Sequence, residues 1–325
     1  MQRQYNTEVN KKSSLLKFMG TFFKGVGAFF VLSIIIGLIY HQLATINLED
    51  KYPPVGEVVD VGDYRLHMYA TGKANGKPTI ILESGLGTPS SYKDWEHIQQ
   101  KLSEYTRVIT YDRAGYGWSD SANNERTAEQ IADDLLQLLL QSGEKGPYIL
   151  VGHSFGGFTS QVFAHKYKED VAGLVLIDSS HIKDEASISN LEIYLLRALK
   201  EIGIGHVLEL MNMLPMHEHF VEDKLAVHFF HQHFYNSNQI SELKLMNSIT
   251  AEQVKQAQEN GFGEIPMRVL SAVHEEYPDW SKWQAETATL SQNGKHLVVK
   301  DASHYIHIDQ PEIVVETILD VMENF

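Results

Sequence analysis

Residues far apart in the chain supply the parts needed to cleave an acyl bond. Gly152-His153-Ser154-Phe155-Gly156 follows the apolar run 148–151 (YILV) and precedes the helix-compatible stretch 157–167. A G-x-S-x-G between strand and helix makes a sharp turn that lifts the serine hydroxyl above a sheet. Gly152 and Gly156 are needed there, because a Cβ at either would collide with the neighbouring helix or strand. A hydroxyl is a weak nucleophile until a base takes its proton. His304, in Asp301-Ala302-Ser303-His304-Tyr305-Ile306-His307, follows the last strand pattern and precedes the helix opened by Pro311, where such a base is expected. His307 is its rival and is read as packing or bonding locally.

Two acids can orient the histidine in the chain order serine, acid, histidine. Asp178 ends the run 174–177 (LVLI), and Glu275 lies in the loop after 267–270 (MRVL); Asp279 is a more distant candidate. As a structural residue, Asp178 would cap the turn at Ser179-Ser180. An oxyanion would be held by amide N–H groups. Phe155, just after the nucleophile, supplies one, and Leu86 in Glu83-Ser84-Gly85-Leu86-Gly87 supplies the other.

The elements that position these residues alternate. Residues 57–61 and 64–69 flank Gly62-Asp63 as a hairpin. Short apolar strands follow at 79–82, 107–111, 148–151, 174–177, 267–270 and 296–299. Between them lie helical spacings, including Trp95, Ile98, Leu102 and Tyr105. Thr127-x-x-Gln130 has the form of a capping box opening a helix that Gly143 closes. The alternation predicts an α/β fold, a mostly parallel eight-stranded sheet with helices on both faces. Residues 181–263 carry helical patterns without a strand, too long for a connection, and are expected to form an inserted helical lid.

With these motifs in place, the stretch 57–325 resembles the α/β-hydrolases. The likeness is to the lidded serine hydrolases that include esterases, proline-iminopeptidase-like peptidases and carbon–carbon bond hydrolases. It rests on Ser84-Gly85-Leu86-Gly87, on Tyr111-Asp112-Arg113-Ala114-Gly115-Tyr116-Gly117-Trp118-Ser119, on the serine elbow, on Leu176-Ile177-Asp178 and on Ser303-His304. The chain departs from the family where Ser84-Gly85 replaces the usual His-Gly and where the Gly-x-x-Asp after the seventh strand is blurred. Some relatives carry the acid after the sixth strand, as Asp178 would be. Those that open epoxides or remove halides use an aspartate nucleophile, which Ser154 argues against. The resemblance implies a serine hydrolase acting on an ester, or an amide, of a small apolar or amphiphilic compound, with no cofactor. A ligand sensor that keeps the pocket without turnover is the alternative from another class.

Composition narrows the setting. The 325 residues include no Cys, which excludes a disulfide framework and a cysteine nucleophile. A net charge of −15 argues against nucleic-acid binding. The 16 His include His217-x-His219, His231-x-His233 and His304-x-x-His307. None has a partner cluster at metal-site spacing, so no metal is expected, and the lid histidines are read as solvated. Residues 1–24 hold Arg3, Lys11, Lys12, Lys17 and Lys24 against Glu8 alone, a basic cytoplasmic leader. Residues 25–46 carry no formal charge and at 1.5 Å per residue reach about 33 Å, enough to span a bilayer core. They are expected to be a retained transmembrane signal anchor, with a linker at 47–56 stiffened by Pro53-Pro54 and the hydrolase domain, 57–325, outside the cytoplasmic membrane.

Overall fold

The computed structural model describes residues 2–45, 51–184 and 188–325, with side chains from Lys17 onward. Residues 46–50, most of them in the expected linker, and 185–187, early in the expected lid, lie outside the described residues.

Short apolar runs bounded by turns form a sheet of β1 (Glu57–Asp60), β2 (Arg65–Thr71), β3 (Thr79–Glu83), β4 (Val108–Tyr111), β5 (Tyr148–His153), β6 (Val171–Ile177), β7 (Met267–Ser271) and β8 (Gly294–Val298). Their spatial order is β1-β2-β4-β3-β5-β6-β7-β8. β1 and β2 form the antiparallel hairpin expected around Gly62, β2 also runs antiparallel to β4, and the remaining pairs are parallel. Parallel strands covered on both faces read as unbroken apolar runs, and β6 (VAGLVLI) is buried along its whole length.

The two-residue period of a strand divides these side chains between two cores. Ile80, Leu82, Ile149, Val151, Val175 and Ile177 pack with Ile98 and Leu102 of the helix Glu96–Leu102 and with Val314 and Ile318 of the C-terminal helix. Ile81, Leu150, Leu174 and Leu176 turn the other way, toward Leu135 and Leu138 of the helix Ala128–Gln141 and Phe158 of the helix Phe155–Lys166. Each such side chain, fully buried, contributes about 1.5–3 kcal/mol. The Thr127 hydroxyl accepts from Gln130 N–H, the N-cap bond that its spacing predicts.

Register aligns the ends that matter. His153 pairs with Ile177, Ile177 with Leu270, and Ser271 with Val298. The residues following β5, β6, β7 and β8 therefore leave one edge of the sheet together. Open α/β sheets bind ligands at this carboxyl edge.

The chain divides into two compact units, one of which joins the N-terminal helix to residues 198–214. Residues 198–214 lie within the stretch 181–263 expected to form a lid. Within this smaller unit the helix Gln2–Thr45 contains a segment, Lys17–Thr45, long and apolar enough to cross a membrane. Two glycines let backbones meet there: a Cβ on Gly37 would lie 2.2 Å from the Ile202 carbonyl oxygen, and one on Gly203 would lie 3.1 Å from that of Gly37. His41 and His206 approach to 3.4 Å, and the Tyr40 and His206 rings meet edge to face.

In the larger unit, a Cβ on Gly156 would stand 2.5 Å from the Glu83 carbonyl oxygen, and one on Gly152 would stand 2.4 Å from that of Gly156. Backbone cannot give way as a side chain does. Gly152→Ala and Gly156→Ala should each destabilise the fold by about 1–3 kcal/mol in urea titration, the usual cost of overpacking. A loss below about 0.5 kcal/mol for both would contradict this packing.

Candidate active site

Ser154 has φ 52° and ψ −123°, a strained backbone that a non-glycine residue adopts only when its surroundings impose it. Its N–H donates to Ile177 O at 3.1 Å, and its carbonyl accepts from Ser180 N–H at 3.0 Å and Gly157 N–H at 2.9 Å. The turn is thereby tied to the end of β6.

Asp178, the residue after β6, is fully buried and has φ 43°. Its Oδ2 accepts from His304 Nδ1 at 2.6 Å and His274 Nε2 at 2.7 Å. Its Oδ1 accepts from Trp280 Nε1 at 2.7 Å and Ala272 N–H at 2.9 Å. Burial pushes the carboxyl up, but the hydrogen bonds from His274 and His304 outweigh it and hold Asp178 well below the usual carboxylate range. An ionised Asp178 makes His304 Nδ1 the donor, so the free lone pair of the neutral ring sits on Nε2. That tautomer is the one a general base on a serine needs. His274 is itself pushed up by its bond to Asp178.

The structure brings His304, and not His307, to this carboxylate. His307 is buried, with Nε2 3.0 Å from Asp94 Oδ1 and its ring 4.5 Å from that of Trp95. Glu275 is exposed one residue beyond His274, and Asp279 is exposed at the start of the helix Trp280–Ala288. His153 links the turn at Ser154 to the loop of His304. Its Nε2–H donates to the His304 carbonyl at 2.9 Å, and its ring lies 4.7 Å from the His304 ring. Burial, with help from His307 and His304, holds His153 well below the usual histidine range, so it stays neutral.

The loop Ser84-Gly85-Leu86-Gly87 lies against the elbow, where a Cβ on Gly85 would be 3.1 Å from Ser154 Cβ. Ser84 Oγ accepts from Trp95 Nε1 at 3.0 Å. Arg113 donates to Ser84 O at 2.6 Å and Gly85 O at 3.0 Å. A planar trans peptide sets its C=O and N–H on opposite sides, so anchoring Gly85 O turns the Leu86 N–H away from Arg113. The first N–H of a helix has no intrahelical partner, which leaves that of Phe155 unused by its own helix. Arg113 is in turn held by Glu242, with Nε–Oε1 3.0 Å and Nη2–Oε2 3.1 Å, and Glu242 also accepts from Tyr116 Oη at 2.5 Å. Burial works to lower the Arg113 pKa, but Glu242 outweighs it, and the guanidinium stays charged.

A family model described as alpha/beta hydrolase fold matches residues 78–203. The uncharacterized protein YqjL of Bacillus subtilis (strain 168) is 30% identical over 254 residues, covering 77% of this chain and 85% of YqjL. The chain belongs to the α/β-hydrolase family. Among solved structures, the enol-lactonase of Burkholderia xenovorans LB400 is similar with TM-score 0.62 and 20% identity over 82% of this hydrolase and 100% of the lactonase. A thermophilic esterase of Thermogutta terrifontis has TM-score 0.57 and 22% identity over 82% of this chain and 97% of the esterase. At these identities the two structures bear on the fold alone.

Sequence reasoning missed His274, Trp280 and Glu242 in this hydrolase. His274 adjoins the weighed Glu275, and Arg113 lies in the quoted motif 111–119, but Glu242 lies 129 residues from Arg113 and carries no local signal. Two lid histidines read as solvated, His231 and His233, are instead buried, because their helix packs inward and His233 Nε2 lies 2.8 Å from Gly117 O. Among the groups of described residues that bring possible metal-ligand atoms within 4.8 Å of one another are Asp178 with His274 and His304, and Asp94 with His153 and His307. In each, a histidine–carboxylate hydrogen bond already accounts for the approach.

Two measurements test this network. Glu242→Ala leaves the Arg113 charge buried without its partner and should cost about 3–5 kcal/mol in stability, whereas Arg113→Met with Glu242→Met should recover most of it. A single variant within about 1 kcal/mol of wild type would contradict the pairing. His153, whose folded pKa lies below its unfolded value of 6.5, contributes stability that is present above pH 6.5 and lost as pH falls. Between pH 6.5 and 5, wild type should therefore lose on the order of 1 kcal/mol per pH unit more than His153→Gln. Parallel stability curves would contradict a buried neutral His153.

Proposed function

We propose that this α/β-hydrolase is a membrane-anchored serine hydrolase that cleaves a carboxylic ester through an acyl-enzyme. The observation that carries the reading is the 2.6 Å contact between His304 Nδ1 and the buried Asp178 carboxylate, at the sheet edge where Ser154 stands on a strained strand–helix turn. Ser154 Oγ attacks the substrate carbonyl as His304 Nε2 takes its proton. The Leu86 and Phe155 N–H groups receive the negative charge on the tetrahedral oxygen. His304 then protonates the departing alkoxide, and water, deprotonated by the same nitrogen, releases the acid and restores Ser154. Asp178 keeps its negative charge throughout and stabilises the imidazolium. A cavity of about 210 Å³ bordered by Asp184, His274, Tyr277, Trp280 and His304 supports a small substrate group beside the base. The names of the lactonase and the esterase agree with ester chemistry. The apolar segment Lys17–Thr45 behind a basic leader supports a single-pass anchor with the hydrolase domain outside the cytoplasmic membrane.

A fluorophosphonate probe should label wild type and leave Ser154→Ala unlabelled, and His304→Ala should lower turnover of a simple ester by several powers of ten. Asp178→Asn should slow acylation by roughly 10⁴, because the amide favours the wrong tautomer, while Glu275→Gln stays within a few-fold of wild type. Labelling of another serine, or the reverse ranking of the two acids, would overturn the assignment.

A further inference from the structure

The membrane anchor places a demand on whatever packs against it, and residues 198–214 pack against it. Ile202 and Gly203 meet the N-terminal helix at Gly37, and His206 meets it at Tyr40 and His41. The short helix Ile204–Leu210 therefore runs alongside in the same direction. Counting from Lys24, the last base before the apolar stretch, Gly37 lies about 20 Å along the helix axis and His41 about 25 Å. A bilayer core is about 30 Å thick, so both contacts fall in its outer half. Continued at the same rise, the helix brings Leu210 to the outer boundary of the hydrocarbon.

The side chains in this stretch match that depth. Between Ile202 and Met216 the only formally charged residue is Glu209. Large apolar groups face outward: Val207 is 50% exposed, Leu210 87%, Met211 59% and Met213 58%. Soluble surfaces rarely gather such groups in so short a stretch without a partner. Apolar faces that lie in the bilayer boundary have this composition.

We infer that residues 202–214 form a second membrane-contacting element, with Leu210, Met211 and Met213 docked into the outer lipid leaflet beside the N-terminal helix. The occupant is lipid rather than a second copy of the chain, because the segment is seated on the part of the helix that the anchoring reading puts in the outer half of the bilayer. The inference rests on that reading. The same stretch lies in the chain between β6 and β7, so the insertion that reaches the catalytic domain at Glu242 is covalently continuous with an element held in lipid. An ester partitioned into the outer leaflet is then the substrate class favoured for the site.

The absence of native Cys permits a clean test with the full chain in phosphatidylcholine–phosphatidylglycerol vesicles. Single Leu210→Cys, Met213→Cys, Ile35→Cys and Lys255→Cys variants are labelled with an environment-sensitive fluorophore. Each is then quenched with doxyl-labelled lipid or aqueous iodide. Positions 210 and 213 should be quenched several-fold more by doxyl lipid than position 255, which iodide should reach. If position 35 is quenched by lipid while 210 and 213 respond to iodide as 255 does, the anchor stands and the second contact fails. If 210 and 213 are shielded from both quenchers, a protein surface covers them and the inference is overturned. If position 35 also escapes lipid, the anchoring reading fails and takes the inference with it.

Discussion

Four donors converge on the Asp178 carboxylate, and the geometry of the sheet's carboxyl edge follows from keeping that one buried charge satisfied. A carboxylate without solvent is costly unless each lone pair finds a proton. Here the backbone of Ala272, the indole of Trp280 and two imidazoles supply them. The donors come from the segment after β7, from the helix that follows it and from the loop after β8, so the network exists only when β6, β7 and β8 hold their register. Asp178 N–H also donates to Leu270 O at 2.8 Å, continuing the β6–β7 pairing into the site. The carboxylate is therefore both the orienting group for His304 and the point where the sheet edge is locked.

A second buried charge anchors the loop that lies against Ser154. Arg113 joins the carbonyls of Ser84 and Gly85 to the carboxylate of Glu242, so the loop that presents Leu86 is held from beneath. His153 closes the circuit by linking β5, which leads into Ser154, to the His304 backbone. Donors fixed in place before a substrate arrives are what electrostatic stabilisation of an oxyanion requires.

Much of this was legible in the sequence where the determinants are local. The elbow is a five-residue signature between a strand and a helix, so Ser154 stood out, and His304 followed from its place after the last strand. The acid was ambiguous because Asp178 and Glu275 both follow strands in the correct chain order. Only the three-dimensional register of β6 and β7 separates a buried aspartate from an exposed glutamate. Glu242, His274 and Trp280 act across long sequence separations and have no pattern of their own. Apolar spacing on a helix looks the same whether it faces a cleft or lies exposed, so the sequence alone places residues 198–214 in a lid, and their approach to the N-terminal helix at Gly37 carries no sequence signal.

The role of this network depends on which nitrogen of His304 carries the proton in the resting protein. Nitrogen-15 NMR of histidine-labelled protein at neutral pH, with His304 assigned by difference from His304→Ala, reads this directly. The Asp178 contact predicts a proton on Nδ1 and a bare Nε2, with that pattern lost in Asp178→Asn. A proton on Nε2 in wild type, or a His304 tautomer indifferent to Asp178→Asn, would contradict it.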